Sequence, residues 1–238
     1  MMMEVVMSMP GATSDYTDAR KQLDAAEIEL RDHRERVAAM RRALPKGPAV
    51  KDYVFLDGDR EVRLSELFAN GKPYLVMYHL MYWQDDKEFC PMCSMWVDGL
   101  DAVAQHVEQS ANIVVASFAP VPVLRDWKTF RGWRRLRVLA DKDASFARDT
   151  GAEDSKGDPQ PTILVFEKKA SGIHHVYTGH APMSDGGFRG IDLLSPTWHV
   201  LDLIPAGRGD FIASNEYVTT PSTSLRGRKA DRYFVLTR

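Results

Sequence analysis

Between Asp15 and Leu44 the apolar residues Ala19, Leu23, Ala26, Leu30, Val37, Met40 and Leu44 recur at mostly three- and four-residue steps among many charges. That is the period of one helical face, and Pro45-Lys46-Gly47-Pro48 supplies the stop. The stripe is thin, so it suits docking on its own domain or on a second subunit, and a homodimer through this helix is one expectation. Arg34, Arg36, Arg41 and Arg42 read as its solvated face.

Beyond the stop, short apolar runs alternate with helix-like segments, the signature of an α/β layer fold. Strands are expected at 50–56, 62–64, 73–79, 112–118, 136–140, 162–166 and 173–177. Helices are expected from Ser65, from Cys90, at 123–130 and at 144–150. Leu124, Trp127 and Phe130 are expected inward on the third of these. Met92, Trp96, Leu100, Val103 and Val107 fall on one face of the helix that starts at Cys90. Residues 82–89 read as a loop delivering the chain to Cys90. Pro196 divides any helix within 192–203. The expected organisation is a leader at 1–14, a helix at 15–48, a core domain at 49–205 and a C-terminal extension at 206–238.

Composition narrows the function classes. The chain has 238 residues, 31 Lys+Arg against 33 Asp+Glu, and a formal charge of -2, so it has no overall cationic field for nucleic acid. The basic residues at 226–238 read as a solvated tail, and Gly186-Gly187-Phe188-Arg189-Gly190 lacks the strand and the Gly-Lys-Ser/Thr ending of a phosphate loop. No apolar run is long enough to span a membrane, and Met1 to Pro10 lacks the pattern of a secretory signal. The expectation is a cytoplasmic protein with neither nucleic-acid nor membrane partners. Its 2 cysteines are too few for a disulfide scaffold, so their purpose is local.

Those cysteines fall three positions apart, as Cys90-Pro91-Met92-Cys93, where a helix is expected to begin. At that spacing the two sulfurs reach disulfide range, and the helix dipole with its free amides favours a thiolate. A reactive dithiol is the direct reading. Asp85, Asp86 and Glu88, against Lys87 alone, work the other way and disfavour a second negative charge on sulfur. No second CxxC is present to complete a structural zinc knuckle. Tyr82, Trp83 and Phe89 flank the motif, either as an apolar platform for a substrate or as cover for the core.

With Gln160-Pro161-Thr162 opening a later strand, the order of elements resembles a thioredoxin-fold protein. The resemblance implies a central mixed sheet with flanking helices, and a cis Pro161 lying against the dithiol to shape a substrate groove. The extra residues between the CxxC helix and Pro161 are similar to peroxiredoxin-like embellishments. The peroxidatic Pro and Thr or Ser are absent, however, since Trp83 and Lys87 stand at those positions.

More closely, Arg41-Arg42-Ala-Leu-Pro45, Asp52-Tyr53-Val-Phe55, Tyr78-His79-Leu-Met81, Cys90-Pro-Met-Cys93-Ser-Met-Trp96 and Leu201-Asp202-Leu-Ile-Pro-Ala-Gly-Arg208 resemble a bacterial thioredoxin-like family of unknown function. Its members are often labelled predicted dithiol-disulfide isomerases. The resemblance spans about residues 20 to 215 and departs at 180–190, where substrate selection could differ. Cys90, expected at the exposed edge before the helix, would attack and Cys93 would resolve the mixed disulfide, so that exchange with a protein or small-molecule thiol or disulfide needs no cofactor.

His79 ends the strand before Cys90, and His174-His175 follow Pro161 on the hairpin; in a thioredoxin fold both places can face the dithiol. His79 or His175 could then assist proton transfer. Alternatively, Cys90, Cys93, His79 and His175 would form a soft site for Cu(I) or zinc, an arrangement that resembles thioredoxin-fold copper-delivery proteins.

Overall fold

The computed structural model describes residues 10–180, 194–207, 211 and 213–215. The glycine-rich loop at 186–190, most of the departure at 180–190 and the basic tail lie outside them, as does the leader up to residue 9. The chain divides into two units, Met1–Pro45 and Lys46–Arg238.

In the first unit, α1 spans Ser14–Arg42, close to the expected limits. Thr13 caps it by accepting the Tyr16 amide at 3.2 Å, Asp15 stands in its first turn, and Arg41 and Arg42 stand in its last. Each of these complements the helix dipole.

Among the described residues the second unit has nine strands, in chain order β1 (Val54–Asp57), β2 (Arg60–Arg63), β3 (Tyr74–Leu80), β4 (Tyr82–Trp83), β5 (Glu88–Phe89), β6 (Asn112–Ser117), β7 (Arg137–Asp141), β8 (Thr162–Lys169) and β9 (Gly172–His180). Its helices are α2 (Pro91–Val107), α3 (Val121–Arg131), α4 (Ser145–Thr150) and α5 (Thr197–Leu201), with one 3-10 turn at Leu64–Leu67. Seven strands form a mixed sheet in the order β2-β1-β7-β6-β3-β8-β9. The strands β3, β6 and β7 run parallel to one another, while β8 pairs antiparallel with β3 and with β9, and β1 pairs antiparallel with β7 and with β2. β6 is buried along its whole length, which is why Ile113, Val114, Val115 and Ala116 follow one another without alternation.

The strand order is that of a thioredoxin-like fold. The strand before the CxxC helix lies at the sheet's centre, the next two strands add in sequence on one side, and an antiparallel hairpin adds on the other. Crossovers through α2 and α3 place both helices on one face, as right-handed connections between parallel strands require. There they bury Cys93, Trp96, Val97, Leu100 and Leu124 with Tyr78 and Leu80 of β3. On the opposite face Leu75 and Met77 pack with Phe55, Phe146 and Phe166.

Several sequence expectations are corrected. The inward face of α2 runs through Cys93, Trp96, Val97, Leu100 and Ala104, while Val103 is exposed. This rotation also buries Asp101. Its carboxylate accepts the amides of Arg135 and Leu136, both at 2.9 Å, and of Arg134 at 3.2 Å, fixing α2 to the start of β7. Phe130 is exposed rather than inward, and Arg131 is buried in its place, paired with Asp98. Residues 82–89 are not a loop but a short hairpin, β4 paired with β5.

Candidate active site

β3 carries the chain to the C-terminal edge of the sheet, and the β4–β5 hairpin turns it back into α2. Cys90 is the residue that makes this junction. Its amide donates to the Met81 carbonyl at 3.2 Å, and its own carbonyl accepts the Ser94 amide at 2.9 Å as the first bond of α2. With extended backbone at φ -64° and ψ 120°, Cys90 is the helix N-cap, and Pro91 follows where its missing N–H costs nothing. Its Sγ accepts the Cys93 amide at 3.3 Å, so sulfur takes the role that a serine or aspartate oxygen usually takes at a cap.

Both cysteines are in the free thiol form, and both are buried. Their surroundings shift the two thiols in opposite directions. For Cys93, burial opposes the thiolate, but hydrogen bonds involving the Cys90 thiol, the Tyr78 hydroxyl and backbone amides outweigh it and bring the group below the ordinary thiol range. Cys90 is held well above that range, first by burial and then by the neighbouring sulfur. Burial and the second sulfur, rather than the hairpin carboxylates Asp85, Asp86 and Glu88, lead in keeping a second charge off the pair.

Tyr78 lies beneath the dithiol, on the face of β3 that meets α2, with its ring edge-on to Trp96 at 6.3 Å. It is fully buried, and its hydroxyl has no hydrogen bond of ordinary geometry. The group it interacts with is Cys93. Burial, then the charge of the two sulfurs, holds the phenol well above its usual range, so Tyr78 stays a neutral donor.

Cys90 does not stand at an exposed edge. It is only 3% exposed, in the same buried cluster as Tyr82 and Phe89 of the β4–β5 hairpin. Phe89 stacks on Trp127 at 4.9 Å with planes 15° apart, and Tyr82 packs on Phe89 at 4.8 Å. Trp127 in turn donates from Nε1 to Ser94 Oγ at 3.2 Å, and Ser94 donates to the Cys90 carbonyl at 3.0 Å. A strap from the C-terminal segment closes the arrangement: Asn215 donates from Nδ2 to the Phe89 carbonyl at 2.9 Å, and its own carbonyl accepts Arg131 at 3.1 Å. Tyr82 and Phe89 thus act as cover. Trp83 instead lines an open cleft of about 350 Å³ beside the hairpin, with Phe118, Arg148, Glu153, Asp158 and Pro159.

The other sequence candidates are not brought to the sulfurs. Alternation along β3 turns His79 to the face opposite Tyr78, where its ring meets Phe118 at 4.8 Å. Fully buried and with both ring nitrogens unpartnered, it is pushed down to about 3 by burial and is neutral at pH 7. His175 pairs with Phe166, which pairs with Leu75, so it sits at the far end of the sheet, roughly 17 Å along the strand direction from Leu80. There it contacts Thr178 Oγ1 at 2.6 Å. The expected Cu(I) or zinc donor set is therefore not assembled, and no group of three or more metal-binding side chains occurs among the described residues.

Pro161 is buried, and the next step of the β3–β8 register sets it opposite Leu80, beside the backbone that holds Cys90. Its peptide bond is trans, since no cis bond occurs among the described residues. Trans is the intrinsically preferred form, and the preceding Gln160 is held by its amide to Ala152 at 2.8 Å and by its carbonyl to Thr162 Oγ1 at 3.2 Å.

Sequence reasoning passed over Tyr78, Ser94, Trp127 and Asn215. Tyr78 carried a usable signal, because residues 78 and 80 must share a face that alternates with His79. Asn215 carried none.

No helix among the described residues is long and apolar enough to cross a membrane. The family described as "Bacterial protein of unknown function (DUF899)" matches residues 7–230. No curated protein matches the sequence. Among solved structures, the chain is similar to peroxidoxin BcpB from Mycobacterium tuberculosis at 17% identity and a TM-score of 0.48, covering 63% of this chain and 94% of that one. A cysteine-to-serine mutant of peroxiredoxin Q from Xanthomonas campestris gives 15%, 0.47, 64% and 94%. The exposed lipoprotein thioredoxin Etrx1 from Streptococcus pneumoniae gives 18%, 0.42, 60% and 98%.

Proposed function

The chain belongs to the DUF899 family of bacterial proteins, and we propose that it is a thiol-disulfide oxidoreductase whose Cys90–Cys93 pair cycles between dithiol and disulfide. One observation carries this reading: the pair caps α2 through sulfur, with the Cys93 amide on Cys90 Sγ and both thiols free and buried side by side at the helix start. A helix N-terminus that stabilises a single thiolate with a second thiol in reach is what exchange chemistry needs. Cys90, at the junction with the hairpin, attacks a disulfide of a protein or small molecule. Cys93, deeper in the fold, then displaces the substrate sulfur. No cofactor takes part in this cycle. Substrate reaches Cys90 only when the β4–β5 hairpin swings away from Trp127.

The test is exchange with glutathione disulfide, followed by mass spectrometry under acid quench. Cys90→Ser abolishes exchange, and Cys93→Ser accumulates a mixed disulfide on Cys90. Equal activity of the two variants overturns the proposal.

A further inference from the structure

We infer that Tyr78 is a further catalytic residue of this exchange, its hydroxyl donating a hydrogen bond to the Cys93 sulfur when that sulfur becomes the attacking thiolate. The inference rests on the thiol-exchange reading above. Its starting point is a donor without an acceptor: the Tyr78 hydroxyl is fully buried, has no hydrogen bond of ordinary geometry, and lies on the face of β3 that α2 covers. A neutral thiol is a weak acceptor, whereas a thiolate accepts a short, charge-assisted bond. The bond is therefore gained on passing from thiol to thiolate, which is the form of interaction that accelerates a step.

No other candidate from the sequence fills this role. His79 is turned to the opposite face of the sheet, and His175 sits at the sheet's other end. The phenol keeps its proton, because burial and the nearby sulfurs both oppose its ionisation.

The step balances as follows. With substrate sulfur joined to Cys90, the Cys93 sulfur attacks Cys90 Sγ. The Cys90–Cys93 bond forms, and the bond from Cys90 to the substrate sulfur breaks. The proton released by Cys93 ends on the departing substrate thiol. Over the whole cycle the substrate disulfide gains two electrons and two protons from the dithiol. Tyr78 holds the attacking charge and transfers nothing.

Tyr78→Phe removes one oxygen that has no partner in the dithiol form, so the fold is kept. Reaction of the reduced variant with glutathione disulfide, acid-quenched and resolved by mass, is expected to show the Cys90 mixed disulfide persisting about tenfold longer than in the wild type. At a pH where the reduced pair carries the thiolate, the equilibrium with the disulfide, measured in glutathione buffers, moves toward the disulfide by a similar factor, about 30 mV for a two-electron couple. An unchanged lifetime and an unchanged equilibrium overturn the inference. Loss of exchange in Cys90→Ser beside an unaffected Tyr78→Phe refutes the role of Tyr78 alone; full exchange in Cys90→Ser refutes the underlying reading.

Discussion

The cover over Cys90 sets how fast any thiol reagent can reach it, and Asn215→Ala isolates one clasp of that cover. β4 and β5 share only two residue pairs, so what Phe89 touches adds to the hold on the hairpin. Three contacts do this: the face-to-face stack on Trp127, the packing of Tyr82, and the Asn215 bond to the Phe89 carbonyl at 2.9 Å. The substitution removes only the last. The Arg131 bond goes to the backbone carbonyl of Asn215 and survives. A net intramolecular hydrogen bond contributes about 0.5–1.5 kcal/mol, and about 1.4 kcal/mol is a factor of ten, so the open population should rise about two- to tenfold.

Alkylation of the reduced protein by iodoacetamide, under conditions where the hairpin recloses faster than the reagent reacts, reads that population directly. The ratio of variant to wild-type rates should be the same from pH 6 to pH 9, because the change alters access and not the ionisation of sulfur. Urea unfolding, run alongside, separates local opening from global loss of stability. An unchanged alkylation rate, or a ratio that follows pH, would refute the account of the hairpin as the cover. Trp127→Leu, which also removes the bond to Ser94, should act in the same direction and more strongly.

Further outcomes follow from buried polar groups elsewhere in the domain. Asp101→Ala strands three backbone amides between α3 and β7 and should cost about 2–5 kcal/mol in urea unfolding, whereas Asp101→Asn should recover part of that by keeping an acceptor oxygen. Asp141 is raised by burial to about 6, so its native state holds a proton that the unfolded chain releases, and its stabilisation is lost as pH rises from about 4 through 6. His79, lowered by burial to about 3, has the opposite sign: its contribution is full above the unfolded value near 6.5 and is lost as pH falls toward 3. Stability curves from pH 4 to 6 should therefore tilt downward with rising pH in His79→Phe and upward in Asp141→Asn, relative to wild type; parallel curves would show that neither group titrates as its burial requires. His79→Phe should also keep thiol exchange within about twofold, since the ring lies on the far face of the sheet from the sulfurs.

How much of this site the sequence disclosed depends on the range of the forces involved. Period and punctuation are local, so α1, the start of α2 at Cys90 and the buried strands β3, β6 and β8 were all legible, as was the layer order that makes the fold thioredoxin-like. The dithiol itself was legible because its two halves lie within one helical turn. What failed was whatever a distant partner decides. The true inward face of α2 follows from the amides before β7 that Asp101 satisfies, and no periodicity within the helix contains them. Residues 82–89 look like a loop because two-residue strands carry too few positions for an alternating pattern; Trp127 and Asn215 hold them in place from outside. The histidines mislead for a different reason. His79 is close to Cys90 along the chain, yet a strand sends neighbouring side chains to opposite faces, and a count of two from Leu80 selects Tyr78 instead. That alternation needs nothing beyond the strand itself. It takes His79 out of the metal set and sets a phenol beside the sulfurs, which is the arrangement on which the Tyr78→Phe experiment turns.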